Sequence, residues 1–120
     1  VERGVKKVGR RSNMIARIWQ TSFDRSQKQR LMDYSNRASL PILSSRPGNR
    51  GVFFYSRGDQ FSVLTLWDDE HSIEQLKHDP AYERIVSGIL ALGVLGEEQT
   101  VELYEYEGGI VPLQLPDHQA

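Results

Sequence analysis

Apolar and polar positions along the chain change rhythm several times, and each change marks an element. Met14–Thr21 (MIARIWQT) mixes β-branched, aromatic and polar residues in partial alternation, the pattern of a strand. Asp24 with Gln27 three residues on has the form of a capping box, in which the Asp oxygen accepts a first-turn N–H. Leu31, Tyr34 and Ala38 then recur at the spacing of one helix stripe, and Pro41 stops that helix or kinks its end.

After the turn composition of Arg46–Gly51 (RPGNRG), Val52–Arg57 and Phe61–Trp67 read as strands. The break between them, Gly58-Asp59-Gln60, makes them an antiparallel hairpin. Asp68, Asp69 and Glu70 sit where a helix N-terminus favours negative charge. Asp79-Pro80 is a fresh start signal, N-cap followed by Pro at the first helical position. Tyr82, Ile85, Val86, Ile89 and Leu90 give this second segment a buried stripe. Gly93 and Gly96 end it, and Thr100–Tyr106 is the last strand.

The order β-α-β-β-α-β predicts an α+β, ferredoxin-like fold: a four-stranded antiparallel sheet with both helices on one face. Strands two and three are apolar on both sides, Phe53 and Tyr55 against Val52 and Phe54, Val63 and Trp67 against Leu64 and Leu66. A sheet covered on one face does not need that, so the other face is expected to meet a second subunit.

The 120 residues suit one domain, taken as 14–107 between an arm (1–13) and a tail (108–120). The arm carries Arg3, Lys6, Lys7, Arg10 and Arg11 against Glu2 alone. It lacks periodicity, and Met14 is expected to be the natural start. The tail offers Ile110–Leu115 as a stretch apolar enough to lie along something. The net charge of −1 argues against a nucleic-acid partner. No secretory signal or membrane-length apolar run is visible, and a cytoplasmic location is expected. The absence of cysteine excludes disulfides, thiolate catalysis and Cys-ligated metals. His71, His78 and Asp79, with His118 in the tail, do not have chelating spacing. Solvent-exposed histidines and no bound metal are expected.

MIARIW, the PGNRGV turn into strand two and LTLWDDEHSIEQL resemble the antibiotic-biosynthesis-monooxygenase family over about residues 14–107. The resemblance implies a dimeric α/β barrel related to cofactor-free quinol and anthrone oxygenases and to haem-degrading enzymes. Trp67 matches the pocket tryptophan that ends the third strand in many members. The haem-degrading branch adds an Asn on strand one and a His on the second helix. Here Arg17 stands near the first, and RIVSGIL, without His, occupies the second. No cofactor is therefore expected.

The aromatic residues Trp19, Tyr34, Tyr55, Trp67, Tyr82, Tyr104 and Tyr106 are spread over the whole pattern. They are either core and interface or the walls of a pocket for a planar phenolic ligand. In the second case Trp67 and Arg17 are the candidate catalytic residues, Arg17 stabilising a substrate anion, and Trp19, Tyr34 and Tyr82 bind the ring. Trp67 is expected at the mouth of a cavity, its N–H free. The function implied is cofactor-independent monooxygenation of a small aromatic. A non-enzymatic, dimeric small-molecule-binding or structural module is the alternative.

Overall fold

The computed structural model describes residues 14–110. The basic arm, His118 and most of the expected apolar tail lie outside the described residues. Strand β1 (Ile15–Phe23) leads through a 3-10 turn into helix α1 (Lys28–Tyr34), a π-helical segment (Ser35–Ser39) and helix α2 (Leu40–Ser44). Strands β2 (Asn49–Arg57) and β3 (Gln60–Trp67) form the hairpin. Helices α3 (Glu70–Leu76) and α4 (Pro80–Ala91) and strand β4 (Leu95–Glu105) complete the chain. The four strands pair antiparallel in the order β2-β3-β1-β4, the ferredoxin-like arrangement.

Register sorts the strand residues into two faces. Val52, Thr65, Arg17 and Leu103 form one cross-strand row and Phe54, Val63, Trp19 and Val101 the next, all toward the helices. Phe53, Leu64, Ile18 and Glu102 form a row on the opposite face, beside Leu66, Ala16 and Tyr104. On β2 and β3 that face carries the expected Phe53, Tyr55, Leu64 and Leu66, whereas Ser62, Gln20, Thr100 and Glu102 make its remainder polar.

Local chemistry explains most of the boundaries. Gly58, at φ 60°, opens a two-residue hairpin turn with Asp59, which is shorter than the expected break because Gln60 already pairs with Arg57. Asp69 caps α3 by accepting from the Ser72 N–H at 2.9 Å, and Asp79 caps α4 through Ala81 N–H at 2.9 Å. Asp24 accepts from Ser26 N–H at 3.0 Å and caps a 3-10 turn. Gln27 does not reach back to close a capping box; it accepts from Arg30 instead.

Two expectations need correction. Of the two outcomes open at Pro41, a stop or a kink near the end, the helix does not stop. Proline offers no N–H to the Arg37 carbonyl and its ring crowds that oxygen, so the turn before it widens, and Leu40 N–H bonds to the Ser35 carbonyl five residues back. The helix then continues to Ser44. The buried row is consequently Leu31, Ser35, Ser39 and Leu43, in steps of four, rather than Leu31, Tyr34 and Ala38. In an α-helix steps of four drift by about 40° each; the wider π turn winds the row back. Strand β4 begins at Leu95, five residues before the expected start, and so includes Gly96. A side chain there would collide with Ser22 where β1 bulges.

The main core joins Phe23, Leu31, Leu43, Phe61, Ile85 and Ile89. Tyr34 bridges the two helical layers, its hydroxyl donating to the Ile85 carbonyl at 2.9 Å. A Cβ at Gly88 would collide with that hydroxyl. Arg46 on the α2–β2 connection forms an ion pair with Asp79 at 2.7 Å, whereas Arg50 pairs with Asp68 in the open. Arg46 thus ties the turn before β2 to the N-terminus of α4.

Gly88→Ala should destabilise the protein by about 1 kcal/mol or more, because the clash with Tyr34 outweighs the roughly 1 kcal/mol gain in helix propensity. Denaturant midpoints check this; a stabilised variant would contradict the packing described.

The Asp79 carboxyl lies below its ordinary value, first because Arg46 donates to it. Its contribution to stability is complete above the unfolded value of about 3.9 and disappears as pH falls through the lower folded value. Asp79→Asn should therefore lose less stability than the parent between about pH 4 and pH 2, as followed by thermal melts across that range.

Candidate functional site

The sheet rows nearest the helices carry small or polar side chains at Thr65 and Val63. The helix row above them carries two serines where a bundle would place leucines. The layers therefore do not close, and a cavity of about 180 Å³ remains between them. Val63, Phe54 and Trp19 form its floor, and Ile85, Val86 and Ile89 of α4 its wall. It opens toward β4, whose Val101 is 50% exposed because no helix covers that edge strand.

Six side chains give the apolar space its polar points, the Gln99 amide of β4 among them. Arg17 Nη2 donates to the Tyr82 hydroxyl at 3.4 Å, and both line the cavity. A second, adjoining cavity between α3 and β4 is also lined by Arg17 and Tyr82, so the pair stands at the junction of the two. Thr65 faces Arg17 in the β1–β3 register. Ser35 and Ser39, 1% and 7% exposed, enter from the π segment. Ser35 Oγ is buried with no hydrogen-bond partner. An unsatisfied buried hydroxyl costs about 1–3 kcal/mol, so its presence calls for a reason.

Of the sequence candidates, Arg17, Trp19 and Tyr82 come together here. Trp67 does not stand at the cavity mouth. It is fully buried at the end of β3, opposite Ile15, and sealed under Ile73 and Leu76 of α3. Nor is its N–H free: it donates to Thr65 Oγ1 at 2.7 Å. The two side chains share a face two residues apart, which is what strand alternation requires. The indole fixes the Thr65 oxygen as an acceptor and leaves the Thr65 proton available to donate. Tyr34 also stays outside the lining. Burial pushes its phenol pKa up, and its hydroxyl is committed to Ile85. Tyr55 and Tyr104 stand half-exposed on strands at the opposite sheet face. His71 and His78 are exposed.

Sequence reasoning missed Ser35, Ser39 and Thr65, because a search for apolar periodicity passes over hydroxyls. Pro41 inside a helical pattern was the available signal: a widened turn re-aims the residues just before it.

Trp67→Phe should cost about 1–3 kcal/mol through the lost N–H bond and the void left under α3. An aromatic probe should still bind the cavity, within about threefold of the parent affinity. Paired denaturation and ligand titration would expose a direct binding role as a much larger affinity loss at unchanged stability.

No family model matches this chain and no curated protein matches it in sequence. Solved structures do match. A monooxygenase of Streptomyces coelicolor, solved with nanaomycin D bound, superposes with a TM-score of 0.69 at 15% identity, covering 85% of this chain and 94% of that one. SnoaB, a cofactor-independent oxygenase from Streptomyces nogalater, gives 0.63 at 9% identity over 88% and 99%. A protein of unknown function from Nitrosomonas europaea gives 0.68 at 18% identity over 88% and 100%. At these identities the likeness is one of fold, and the chain has the fold of the antibiotic-biosynthesis monooxygenases.

Proposed function

We propose that the protein is a cofactor-independent monooxygenase that binds a small aromatic anion in the cavity between sheet and helices. The observation that carries this reading is an apolar cavity with a guanidinium, Arg17, at one end. At about 180 Å³ it exceeds the roughly 150 Å³ apolar cavity that takes up benzene, and so suits one or two fused rings. Trp19 and Phe54 offer aromatic surface to the rings, and Arg17 with Tyr82 offers donors to an oxyanion.

The chemistry is that of an electron-rich substrate anion with oxygen. A ring C–H becomes C=O with one oxygen atom of O2, and the second oxygen leaves as water, which takes the ring hydrogen and the proton the substrate hydroxyl gave up to solvent; the substrate supplies all the electrons. No carboxylate or imidazole lines the cavity among the described residues. An already ionised substrate suits this lining and favours acidic phenols and quinols, while the adjoining cavity, which shares Arg17 and Tyr82, is lined by the carboxylates Glu70 and Glu74. The same feature favours a second reading, a binding module that holds such an anion without turnover. Both follow the likeness to structures that include a nanaomycin D complex and a cofactor-independent oxygenase.

The reading includes a homodimer through the helix-free sheet face, since Phe53, Leu64, Leu66 and Ile18 form one continuous apolar surface there. Sedimentation should show a dimer at micromolar concentration. Leu64→Asp should convert it to a monomer, and a monomeric parent would overturn this part.

Arg17→Met should weaken binding of 2-naphthoate by about tenfold or more, as expected for loss of one charge-assisted contact, and leave neutral 2-naphthamide within about twofold. Fluorescence titration reads both. Oxygen uptake with acidic naphthols separates the readings: consumption that is abolished in the variant supports an oxygenase, and tight binding without consumption leaves the binding module.

A further inference from the structure

Ser35 Oγ is the one buried side-chain polar atom without a partner among the described residues, and it faces the cavity. Its position follows from the covalent chemistry of the chain. Pro41 widens the preceding turn, and the π segment turns Ser35 and Ser39 inward on the row shared with Leu31 and Leu43. A helical serine ordinarily satisfies its hydroxyl by bonding back to the carbonyl four residues earlier. Here the Ser35 hydroxyl makes no such bond to the Leu31 carbonyl and has no partner within the protein. π segments of this kind recur at functional sites.

Thr65 supplies a second hydroxyl from the sheet side. The Trp67 N–H occupies one of its lone pairs, so its remaining capacity is chiefly as a donor. The cavity thus has polar groups on two sides: Arg17 and Tyr82 with Thr65 beside Arg17 on the sheet, and the helix hydroxyls across from them, with Gln99 of β4 also in the lining. The sheet side is cationic at Arg17; the helix side is neutral, the hydroxyls of Ser35 and Ser39.

We infer that the Ser35 hydroxyl, supported by Ser39, is a subsite for a neutral oxygen of the ligand, a ring carbonyl, while the ligand's anionic oxygen sits at Arg17, where Thr65 is the neighbouring donor. The preferred ligand is then a fused aromatic bearing both an ionised hydroxyl and a carbonyl. This rests on the cavity being a ligand site and does not depend on oxygenation taking place. A ligand without the carbonyl would leave the hydroxyl buried and unbonded, which is the source of the discrimination.

The test compares two anionic bicyclic probes by calorimetry on the full chain: 2-hydroxy-1,4-naphthoquinone, which carries carbonyls, and 2-naphthoate, which has no ring carbonyl. Ser35→Ala should weaken the first by about fivefold to tenfold and leave the second unchanged, with an unfolding midpoint equal to or above the parent's because an unpaired hydroxyl has been removed. Equal affinities of parent and variant for the naphthoquinone would overturn the subsite and leave the cavity reading intact. Equal loss for both probes would show Ser35 shaping the space rather than bonding the ligand, and would also overturn it. A lowered midpoint without any change in binding would assign the hydroxyl to folding alone. If neither probe binds the parent protein at millimolar concentration, the cavity reading fails and the subsite falls with it. Ser35→Cys keeps a weak donor of similar size and should recover part of the naphthoquinone affinity; no recovery together with an intact fold would count against bonding.

Discussion

The missing N–H of Pro41 is the constraint on which the site depends. A regular helix through residues 28–44 would carry its buried row around the axis and bring other side chains over the sheet. The π segment before the proline keeps Leu31, Ser35, Ser39 and Leu43 in line, so two short hydroxyl residues lie between two leucines. The leucines pack into the core with Phe61 and Ile85, and the serines leave space between them. The cavity is therefore a consequence of backbone geometry, and its polar lining comes from the same turn.

Opposite that row, the sheet contributes by register. Arg17 and Thr65 are cross-strand neighbours, as are Trp19 and Val63, so charge, hydroxyl and aromatic surface are held on rigid strands at fixed spacing. Trp67 works from behind. It fills the base of α3 and holds the Thr65 oxygen at 2.7 Å, which makes it a support for a cavity residue rather than a wall of the cavity. The acids that follow it have structural duties: Asp69 caps α3, and Asp68 answers Arg50 across the β2 bulge. The whole stretch around Trp67 thus secures the seam where strand becomes helix.

The fold was legible because every strand and both helical regions announced themselves by periodicity and caps; Asp79-Pro80 and the Gly58-Asp59 turn are where the pattern placed them. β4 was read short because its first half, Leu95–Gln99, is glycine and acid on an exposed edge, where no packing selects apolar residues. Arg17, Trp19 and Tyr82 were legible as a set because each carries chemistry of its own. Trp67 was assigned to the pocket on the family resemblance and Tyr34 on residue type, and only the three-dimensional arrangement shows their polar atoms engaged within the protein. Ser35 was invisible for the opposite reason: a serine has little to distinguish it until its partners can be counted.

The central claim is that the space under the π segment receives an aromatic anion whose charge lies at Arg17. A crystal structure grown with 2-hydroxy-1,4-naphthoquinone tests it most directly. Ring density is expected between Trp19 and α4, with an anionic oxygen within hydrogen-bonding distance of the Arg17 guanidinium and a carbonyl oxygen within hydrogen-bonding distance of Ser35 Oγ. A cavity closed by its own side chains, or a ligand bound elsewhere with Arg17 turned to solvent, would contradict it.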